Sequence, residues 1–212
     1  MKIRLFILCC IIANSYLYSQ DLSADKILEK TINKNKSYSD MKIEFSYFFS
    51  DSINDINETM EGTMFLKGGK YRIDTDNDLS IINNGETLWY FMKDVNEVQI
   101  TNNDPNDSFN PNKLFTIYKN KFKNKFNGIK IFDNYKAYNI SLFPEEKTNN
   151  ISKITLYIHI ENSEIMIANI YDKNGGVMKY IINDFITNSS LEDEIFEFKT
   201  SNYPDLEKID LR

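Results

Sequence analysis

The chain has 212 residues, with 31 Asp and Glu against 25 Lys and Arg and a net charge of −6 at neutral pH. This acidic balance argues against nucleic acid as a partner, because phosphate binding depends on lysine and arginine. The length suits one domain with a substantial core. Phe and Tyr number 15 and 13 whereas Gly and Pro number 7 and 4, which favours aromatic-rich strands.

The first 20 residues have the charge and hydropathy pattern of a secretory signal peptide. Lys2 and Arg4 precede the nine apolar residues 5–13, and a polar stretch ends at Gln20. The apolar run is too short to span a bilayer. We therefore predict a leader over residues 1–20 that is cleaved after Gln20.

Both cysteines of the chain lie inside this leader. Cys9 and Cys10 would leave with it, so residues 21–212 form a mature domain without a disulfide, a thiol nucleophile or a cysteine metal site. Such a chain suits an oxidising compartment. Two alternatives are a buried N-terminal strand in place of the leader and a lipoprotein leader, after which the mature chain would start at a diacylated Cys10.

The mature chain is predicted to begin with a helix and to continue as strands. Ser23 can cap the helix, and apolar residues recur at helical spacing from Ala24 to about Asn33. From Met41 the period changes to two, which indicates a half-buried strand. Short strands with tight turns then indicate an antiparallel meander. They are predicted over residues 59–67, 70–75, 79–83, 87–92, 97–101, 137–143, 153–160, 163–171, 177–186 and 195–199.

A second helix is predicted between the two groups of strands, over residues 111–126. Leu114, Phe115 and Tyr118 fall on one apolar stripe, and lysines occupy the other face. A basic, aromatic amphipathic helix can lie on a membrane surface. We prefer a helix that packs across the open end of the sheet, because its apolar residues are those that this packing needs.

Few residues can support catalysis. His159 is the only histidine and lies mid-strand, so no Ser-His-Asp set can be assembled around it. No glycine-rich phosphate motif is present. Asp74, Asp76 and Asp78 alternate, but the rest of a calcium loop is missing and we interpret them as a solvated hairpin end. We expect no enzyme activity, no metal and no cofactor.

The remaining signal is the aromatic content of consecutive strands. A curved sheet with a helix over its mouth can enclose an apolar cavity, although ordinary core packing also explains such residues. Several of seven residues are expected to line this cavity. These are Phe45, Tyr47, Phe65, Leu66, Tyr71, Trp89 and Phe91. Because residues 87–92 are apolar on both faces, the sequence leaves open which side chains of this strand face inward. As the only tryptophan, Trp89 would then report ligand binding by its fluorescence.

An ordered set of segments resembles one known family. After the leader, the helix and a strand containing F-x-Y come EGTMFLK at 61–67, KYRID at 70–74, INNGETLWY at 82–90, NEV at 96–98, NPNKLF at 110–115, LFP at 142–144, DKNG at 172–175 and FEF at 196–198. In this order they resemble the LolA family of periplasmic outer-membrane lipoprotein carriers, over essentially the whole mature chain. Residues 110–118 and 209–212 are similar to its Bacteroidetes branch.

The resemblance implies an unclosed antiparallel β-barrel of about ten or eleven strands, with an α-helical lid over an apolar cavity. It implies a single-domain periplasmic chaperone, acting as a monomer, that binds acyl chains of lipoproteins with the seven residues above. Leu114, Phe115 and Tyr118 would belong to the lid. The partners implied are acylated lipoproteins, an inner-membrane transporter of the LolCDE type and an outer-membrane acceptor.

Two features qualify this expectation. Better-known members of the family carry an Arg after the Lys that matches Lys67, where it ties the barrel to the lid, and this chain has Gly68. The alternatives kept open are a carrier or sensor of another lipid or apolar ligand on the same fold, a hydrolase acting in the cavity, and a structural outer-membrane accessory protein. The single histidine argues against the hydrolase.

Overall fold

The computed structural model describes residues 23–104, 111, 122–145 and 150–212. The predicted leader lies outside these residues, and so do the predicted lid residues Leu114, Phe115 and Tyr118. Of the described residues, 58% lie in strands, and one α-helix is present among them.

Helix α1 spans Ala24–Lys36. The predicted cap is confirmed, since the Ser23 hydroxyl oxygen accepts a hydrogen bond from the Lys26 backbone N–H at 3.3 Å. Asp25 in the first turn and lysines in the last turn suit the helix dipole. The helix continues to Lys36, beyond the predicted end at about Asn33. Its last turn contains no apolar residue that would have extended the predicted stripe, although it buries Asn35.

Twelve strands form one sheet in the described residues. They are β1 Met41–Asp51, β2 Ile56–Lys67, β3 Lys70–Thr75, β4 Leu79–Asn83, β5 Thr87–Met92, β6 Glu97–Asn102, β7 Phe122–Ile131, β8 Lys136–Pro144, β9 Ile151–His159, β10 Ile165–Asp172, β11 Gly176–Thr187 and β12 Glu207–Asp210. Their order is β12-β6-β5-β4-β3-β2-β1-β11-β10-β9-β8-β7. Neighbours are antiparallel except β12, which runs parallel to β6. The sheet is not closed, and with α1 it forms the expected unclosed barrel.

The predicted helix over residues 111–126 is wrong in its last part. Residues 122–126 begin β7 and pair with β8, with Phe122 opposite Pro144 and Phe126 opposite Ile140. Phe122 and Phe126 fit either a helical stripe or a strand of period two. Pairing with β8 decides for the strand, because it satisfies the backbone groups that a sheet edge would expose.

The C-terminal region also differs from its prediction. Residues 195–199 are not a strand, since Asp193–Phe196 forms a 3-10 helix and a second one spans Thr200–Asn202. The chain then enters β12, which adds to the edge of β6. Phe196 and Phe198 are both buried. The alternating apolar pattern of residues 195–199 therefore indicated correctly that these side chains pack, although the segment does not pair as a strand.

The two faces of the sheet carry two separate apolar clusters. Side chains from α1, from β1–β5 and from β7–β11 meet in a main core, and we call the sheet face that carries it the inner face. A second group, the outer cluster, lies on the opposite face. It consists of Ile82, Trp89, Phe91, Val98, Ile100 and Phe198, with Tyr203 and Leu206 packed against it. The outer cluster holds residues 188–206, the C-terminal segment, against β4–β6.

Candidate functional site

Four of the seven predicted cavity residues lie on the inner face. Phe45, Leu66 and Tyr71 are buried in the main core, and Tyr47 packs against it. The strand register explains their common side, because Leu66 lies directly opposite Tyr71 in the β2–β3 pair. The structure therefore brings these four side chains together along one surface, next to α1.

Phe65, Trp89 and Phe91 lie on the outer face, so the structure does not bring them together with the other four residues. For residues 87–92, whose inward side chains the sequence left open, Trp89 and Phe91 point outward. Phe65 lies opposite Arg72 in the β2–β3 pair, on the side away from Leu66. The Phe91 ring centroid is 5.0 Å from that of Phe198 and 4.4 Å from that of Tyr203. Both faces of β5 are apolar because each packs in a different cluster. The aromatic residues Phe198 and Tyr203 near the C-terminus were the sequence feature that could have indicated the outer cluster.

The sequence prediction missed most of the inner face, which is aliphatic. Residues of β8–β11 complete it, namely Ile140, Leu142, Ile154, Leu156, Ile158, Ile165, Ala168 and Ile182. The signal that could have found it is the alternation of Ile154, Leu156 and Ile158, which is typical of a strand with one apolar face. The inner face is thus a broad aliphatic surface with aromatic residues at one side.

An aromatic group closes that side of the inner face. The Tyr180 ring centroid lies 5.0 Å from that of Tyr47 and 6.2 Å from that of Phe45. A Cβ on Gly62 would approach the Phe45 Cζ to 2.7 Å, so the ring lies directly over this glycine. Burial raises the pKa of Tyr180 far above its ordinary value, and burial together with Glu58 raises that of Tyr47. Both phenols therefore stay neutral, and the surface remains uncharged.

Helix α1 covers part of the inner face with a stripe that is not wholly apolar. Ala24, Ile27 and Leu28 join the main core. Thr31 and Asn35 are 0% and 5% exposed on the same stripe, yet the Thr31 hydroxyl and the Asn35 amide nitrogen have no hydrogen-bond partner among the described residues. Each such group costs about 1–3 kcal/mol of stability. The contact between the helix and the sheet is therefore weaker than its buried area suggests.

Polar contacts fix α1 at both ends. The Asn124 amide of β7 donates to Asp25 Oδ1 at 2.6 Å. At the other end Lys34 donates to the backbone carbonyl of Asn162 and forms an ion pair with Glu164 at 3.2 Å. Lys34 and Glu164 are only partly exposed, so the end of the helix is held to the turn between β9 and β10. Of the two buried polar groups without a described partner, Thr31 lies between these attachments and Asn35 lies directly after the second.

The position of the expected latch Arg is a tight turn. Gly68 has a φ of +60° and open space around it, so a side chain there would be strained. The two lysines that flank this turn make the contacts. Lys67 and Lys70 form ion pairs with Asp193 at 2.8 and 3.3 Å, and Lys67 also donates to the Leu191 carbonyl at 2.6 Å. The hairpin is thus tied to the C-terminal segment.

Asp40 anchors the start of the same segment. Its carboxylate accepts hydrogen bonds from the Ser189 backbone N–H at 2.8 Å, the Ser189 hydroxyl at 2.9 Å and the Ser190 N–H at 3.2 Å. The Ser39 hydroxyl donates at 2.7 Å. Burial alone would raise the pKa of Asp40, but these hydrogen bonds outweigh it and lower the pKa below 3.8. The ionised carboxylate therefore fixes the path of the chain after β11.

A cavity of 310 Å³ opens between the C-terminal segment and the outer face. Its lining is mixed, with Arg72 and Ile82 of the sheet facing Glu194, Phe198 and Tyr203. It is not the expected apolar cavity, because its lining is mixed and it lies on the outer face. The inner face is filled by the protein's own side chains. There, Ile140, Leu156 and Ile158 are fully buried. An apolar ligand would thus have to displace protein from the inner face.

The residues considered for catalysis or metal binding have local structural roles. His159 Nδ1 accepts a hydrogen bond from the Glu161 backbone N–H at 3.2 Å, and the ring stacks on Tyr135. Asp74 forms an ion pair with Arg72 at 2.7 Å, and Asp76 accepts from the Glu61 N–H at 3.1 Å. Within the described ranges no group of three or more His, Cys, Asp or Glu could hold a metal ion.

Helix α1 has 13 residues. Of the helices in the described part of the chain, none is both long and apolar enough to cross a bilayer.

The chain resembles known proteins in both sequence and structure. The sequence profile of the family described as outer membrane lipoprotein carrier protein LolA matches residues 36–199. Among curated protein sequences, none matches the chain significantly.

Solved structures with a similar fold come from several bacteria. An uncharacterized conserved protein from Thermus thermophilus matches with a TM-score of 0.59 and 10% identity, over 88% of this chain and 98% of that one. A LolA superfamily protein from Nitrosomonas europaea matches with a TM-score of 0.45 and 14% identity, over 84% and 98%. A lipoprotein-sorting protein domain from Vibrio parahaemolyticus, described as putative in its source, gives 0.47 and 11%, over 82% and 97%.

Proposed function

Because the chain belongs to the LolA family of outer membrane lipoprotein carrier proteins, we propose that it carries lipoprotein acyl chains from the inner to the outer membrane. Membership of this family supports the coarser statement that the chain is a carrier of apolar ligands. The observation that supports the finer assignment is the inner face, a continuous aliphatic surface covered by a helix with two buried polar groups that have no hydrogen-bond partner among the described residues.

The energetics favour acyl chains as the ligand of this surface. Burying a methylene group gains about 0.8 kcal/mol, so a lipid anchor in water needs a protein cover. The side chains Phe45, Tyr47, Leu66 and Tyr71 would contact the acyl chains, together with the aliphatic residues of β8–β11. Tyr47 and Tyr180 stay neutral, and the surface therefore places no charge against the ligand.

Entry of the ligand requires that protein move off the inner face. Helix α1 is the described element most suited to this, because its buried Thr31 and Asn35 offset part of its apolar packing. A ligand shifts such an equilibrium only by its differential affinity for the open state. Leu114, Phe115 and Tyr118, which lie outside the described residues, are proposed to add a second part of the lid.

The proposal includes the location and the partners. The protein would be exported by the leader of residues 1–20, cleaved after Gln20, and act in the periplasm as a monomer. It would accept cargo from a LolCDE-type transporter and deliver it to an outer-membrane acceptor, without catalysis. A second candidate is carriage of another lipid on the same inner face, which the aliphatic surface also suits.

One experiment separates these two candidates and tests the inner face. The mature protein is isolated from the periplasm, and bound molecules are identified by mass spectrometry. Acylated lipoproteins or their acylated N-terminal peptides support the proposal, whereas free lipids without peptide favour the second candidate.

A matched pair of variants shows whether the inner face is the site. Phe45 and Phe91 are 2% and 3% exposed, so Phe45→Ala and Phe91→Ala should each destabilise the fold by about 3–5 kcal/mol. Only Phe45→Ala should weaken binding of an acylated peptide, because only Phe45 lies on the inner face. Equal losses of binding in the two variants would contradict the proposed site.

A further inference from the structure

Strand β7 forms one end of the sheet in the described residues and is paired to β8 on one side. An end strand presents N–H and C=O groups on its other side, where an extended peptide can add as a further strand. In this fold the position matters, because β7 also touches helix α1 through Asn124 and Asp25. Its edge therefore lies beside the element that covers the inner face.

This strand is basic in an acidic protein. Its sequence FKNKFNGIKI contains three lysines and no Asp or Glu, whereas the whole chain has a net charge of −6. Up to the bulge at Gly128, Phe122 and Phe126 face the main core, while Lys123 and Lys125 are exposed on the outer face. The charge is thus presented on one side of an edge strand, and apolar rings on the other.

No acid lies in the row that crosses the outer face from Lys125. Ser141 lies opposite Lys125, Thr155 opposite Ser141, Asn169 opposite Thr155 and Lys179 opposite Asn169. The positive charge at the edge is therefore left unopposed along this row. A strand added beside β7 would meet Lys123 and Lys125 at alternate positions, about 6.6–6.8 Å apart.

We propose that β7 is the docking edge for the cargo's own polypeptide, an extended segment that follows its acyl chains and carries Asp or Glu at alternate positions. This rests on the proposed function. The acids pair with Lys123 and Lys125. The residue between them lies beside Asn124, and the residues on either side of the acids lie beside Phe122 and Phe126. Backbone pairing supplies affinity, and the alternating charge selects the segment.

The direction of β7 argues for the cargo as the source of this segment. Phe122 is 9% exposed in the main core, whereas Ile129 and Ile131 at the other end are 53% and 69% exposed. A chain whose acyl groups occupy the inner face can leave along this edge toward solvent. The lysines also discourage two carriers from pairing edge to edge, since like charges opposite one another are destabilising.

The test uses the mature protein and synthetic eight-residue peptides that alternate Glu with Val or Thr and carry a fluorescent label. The comparison peptides replace Glu by Gln, or carry N-methyl groups on the amides that would pair with β7. At low salt we expect the Glu peptide to bind about tenfold tighter than the Gln peptide, with a difference that shrinks as salt is added. N-methylation should remove the binding.

The protein variants test the position. Lys123→Glu/Lys125→Glu should weaken binding of the Glu peptide about tenfold or more, and Lys123→Gln/Lys125→Gln should lie between this variant and the wild type. The matched control is Lys153→Glu/Lys179→Glu, which changes the charge equally on strands away from the edge. It should bind nearly as the wild type does. Thermal unfolding establishes that each variant is folded.

Acylated forms of the Glu and Gln peptides distinguish failure of this inference from failure of the proposed function. Binding of both acylated peptides with equal affinity, unchanged in the Lys123/Lys125 variants, would overturn the docking edge and leave the carrier function intact. An equal loss in the Lys153/Lys179 control would also overturn it, as would lysine-dependent binding to anionic vesicles without binding of the Glu peptide. Failure of both acylated peptides to bind would contradict the proposed function itself.

Discussion

Asp40 is a buried carboxylate that accepts four hydrogen bonds from three serines. Ser39, Ser189 and Ser190 surround it, and the Asn188 N–H bonds to its backbone carbonyl at 3.0 Å. Asn188 and Ser190 have φ of 55° and 60°, a backbone region that non-glycine residues seldom adopt. The carboxylate thus holds the start of the C-terminal segment in an unfavourable backbone conformation.

The pH dependence of stability should reflect this residue. The folded-state pKa of Asp40 is lowered below 3.8, so its contribution is present above that value and is lost as pH falls through the folded pKa. Asp40→Asn should lower the free energy of unfolding at pH 7 by about 2 kcal/mol. It should also make the acid-induced loss smaller, though not absent, because Asp74 and Asp193 have lowered pKa values too. Urea unfolding between pH 7 and pH 3 measures both, and identical pH profiles would contradict this role.

Thr31 and Thr75 are matched buried threonines with opposite environments. The Thr31 hydroxyl has no partner among the described residues, whereas the Thr75 hydroxyl donates to the Leu79 carbonyl at 2.9 Å. Thr31→Val should therefore stabilise the protein by about 1 kcal/mol, and Thr75→Val should destabilise it by about 1–3 kcal/mol. Chemical denaturation measures both. Because a more stable closed helix opens less, Thr31→Val should also slow ligand uptake; destabilisation by this change would show that the hydroxyl is satisfied in solution.

At the scale of elements, local chemistry determined which strands the sequence could predict. The bounds of β3, β4 and β5 are confirmed, because Gly68-Gly69 and Asn84-Gly85 are turns of the kind that fix hairpins. Helix α1 was predictable from its Ser23 cap and its apolar spacing. These signals depend on neighbouring residues only, and no tertiary contact was needed to interpret them.

The elements that escaped prediction are those that tertiary contacts decide. Residues 122–126 carry a pattern that fits both helix and strand, and pairing with β8 selects the strand. The short β12 gains its strand conformation from the edge of β6. Of the site, alternation along β1 places Phe45 and Tyr47 on one face, but it did not decide between the adjacent Phe65 and Leu66. The outer position of Trp89 depended on the C-terminal segment, more than 100 residues away along the chain.

Trp89 should therefore report on the C-terminal segment and not on the ligand. It lies in the outer cluster with Phe91 and Phe198, on the face away from the proposed acyl site. Phe198→Ala should shift the Trp89 emission maximum to longer wavelength, because it admits water to the cluster. Saturation with an acylated peptide should leave the maximum unchanged in the wild type. If the ligand shifts the emission maximum and Phe198→Ala does not, the prediction is wrong and Trp89 belongs to the ligand site.

At the scale of the whole molecule, the two apolar clusters have different roles on the two faces of the sheet. The outer cluster, Asp40 and the lysines around Gly68 fix the C-terminal segment, so this side gives rigidity. The inner face meets a helix that combines apolar residues with Thr31 and Asn35, whose buried polar groups have no partner in the described part of the chain. This side is therefore the one proposed to open. A carrier needs both, because it must keep its fold while it exchanges its own packing for that of a ligand.

The most direct test of this account is the position of a bound acyl chain. A peptide whose acyl chain carries a nitroxide is bound to the methyl-labelled protein, and paramagnetic broadening of the methyl signals is measured by NMR. The account predicts strong broadening of inner-face methyl groups such as Ile140, Ile154 and Ala168. It predicts little at Ile82, Val98 and Ile100 of the outer cluster, which are buried to a similar degree. Broadening centred on the outer cluster would contradict the assignment of the inner face as the lipid site.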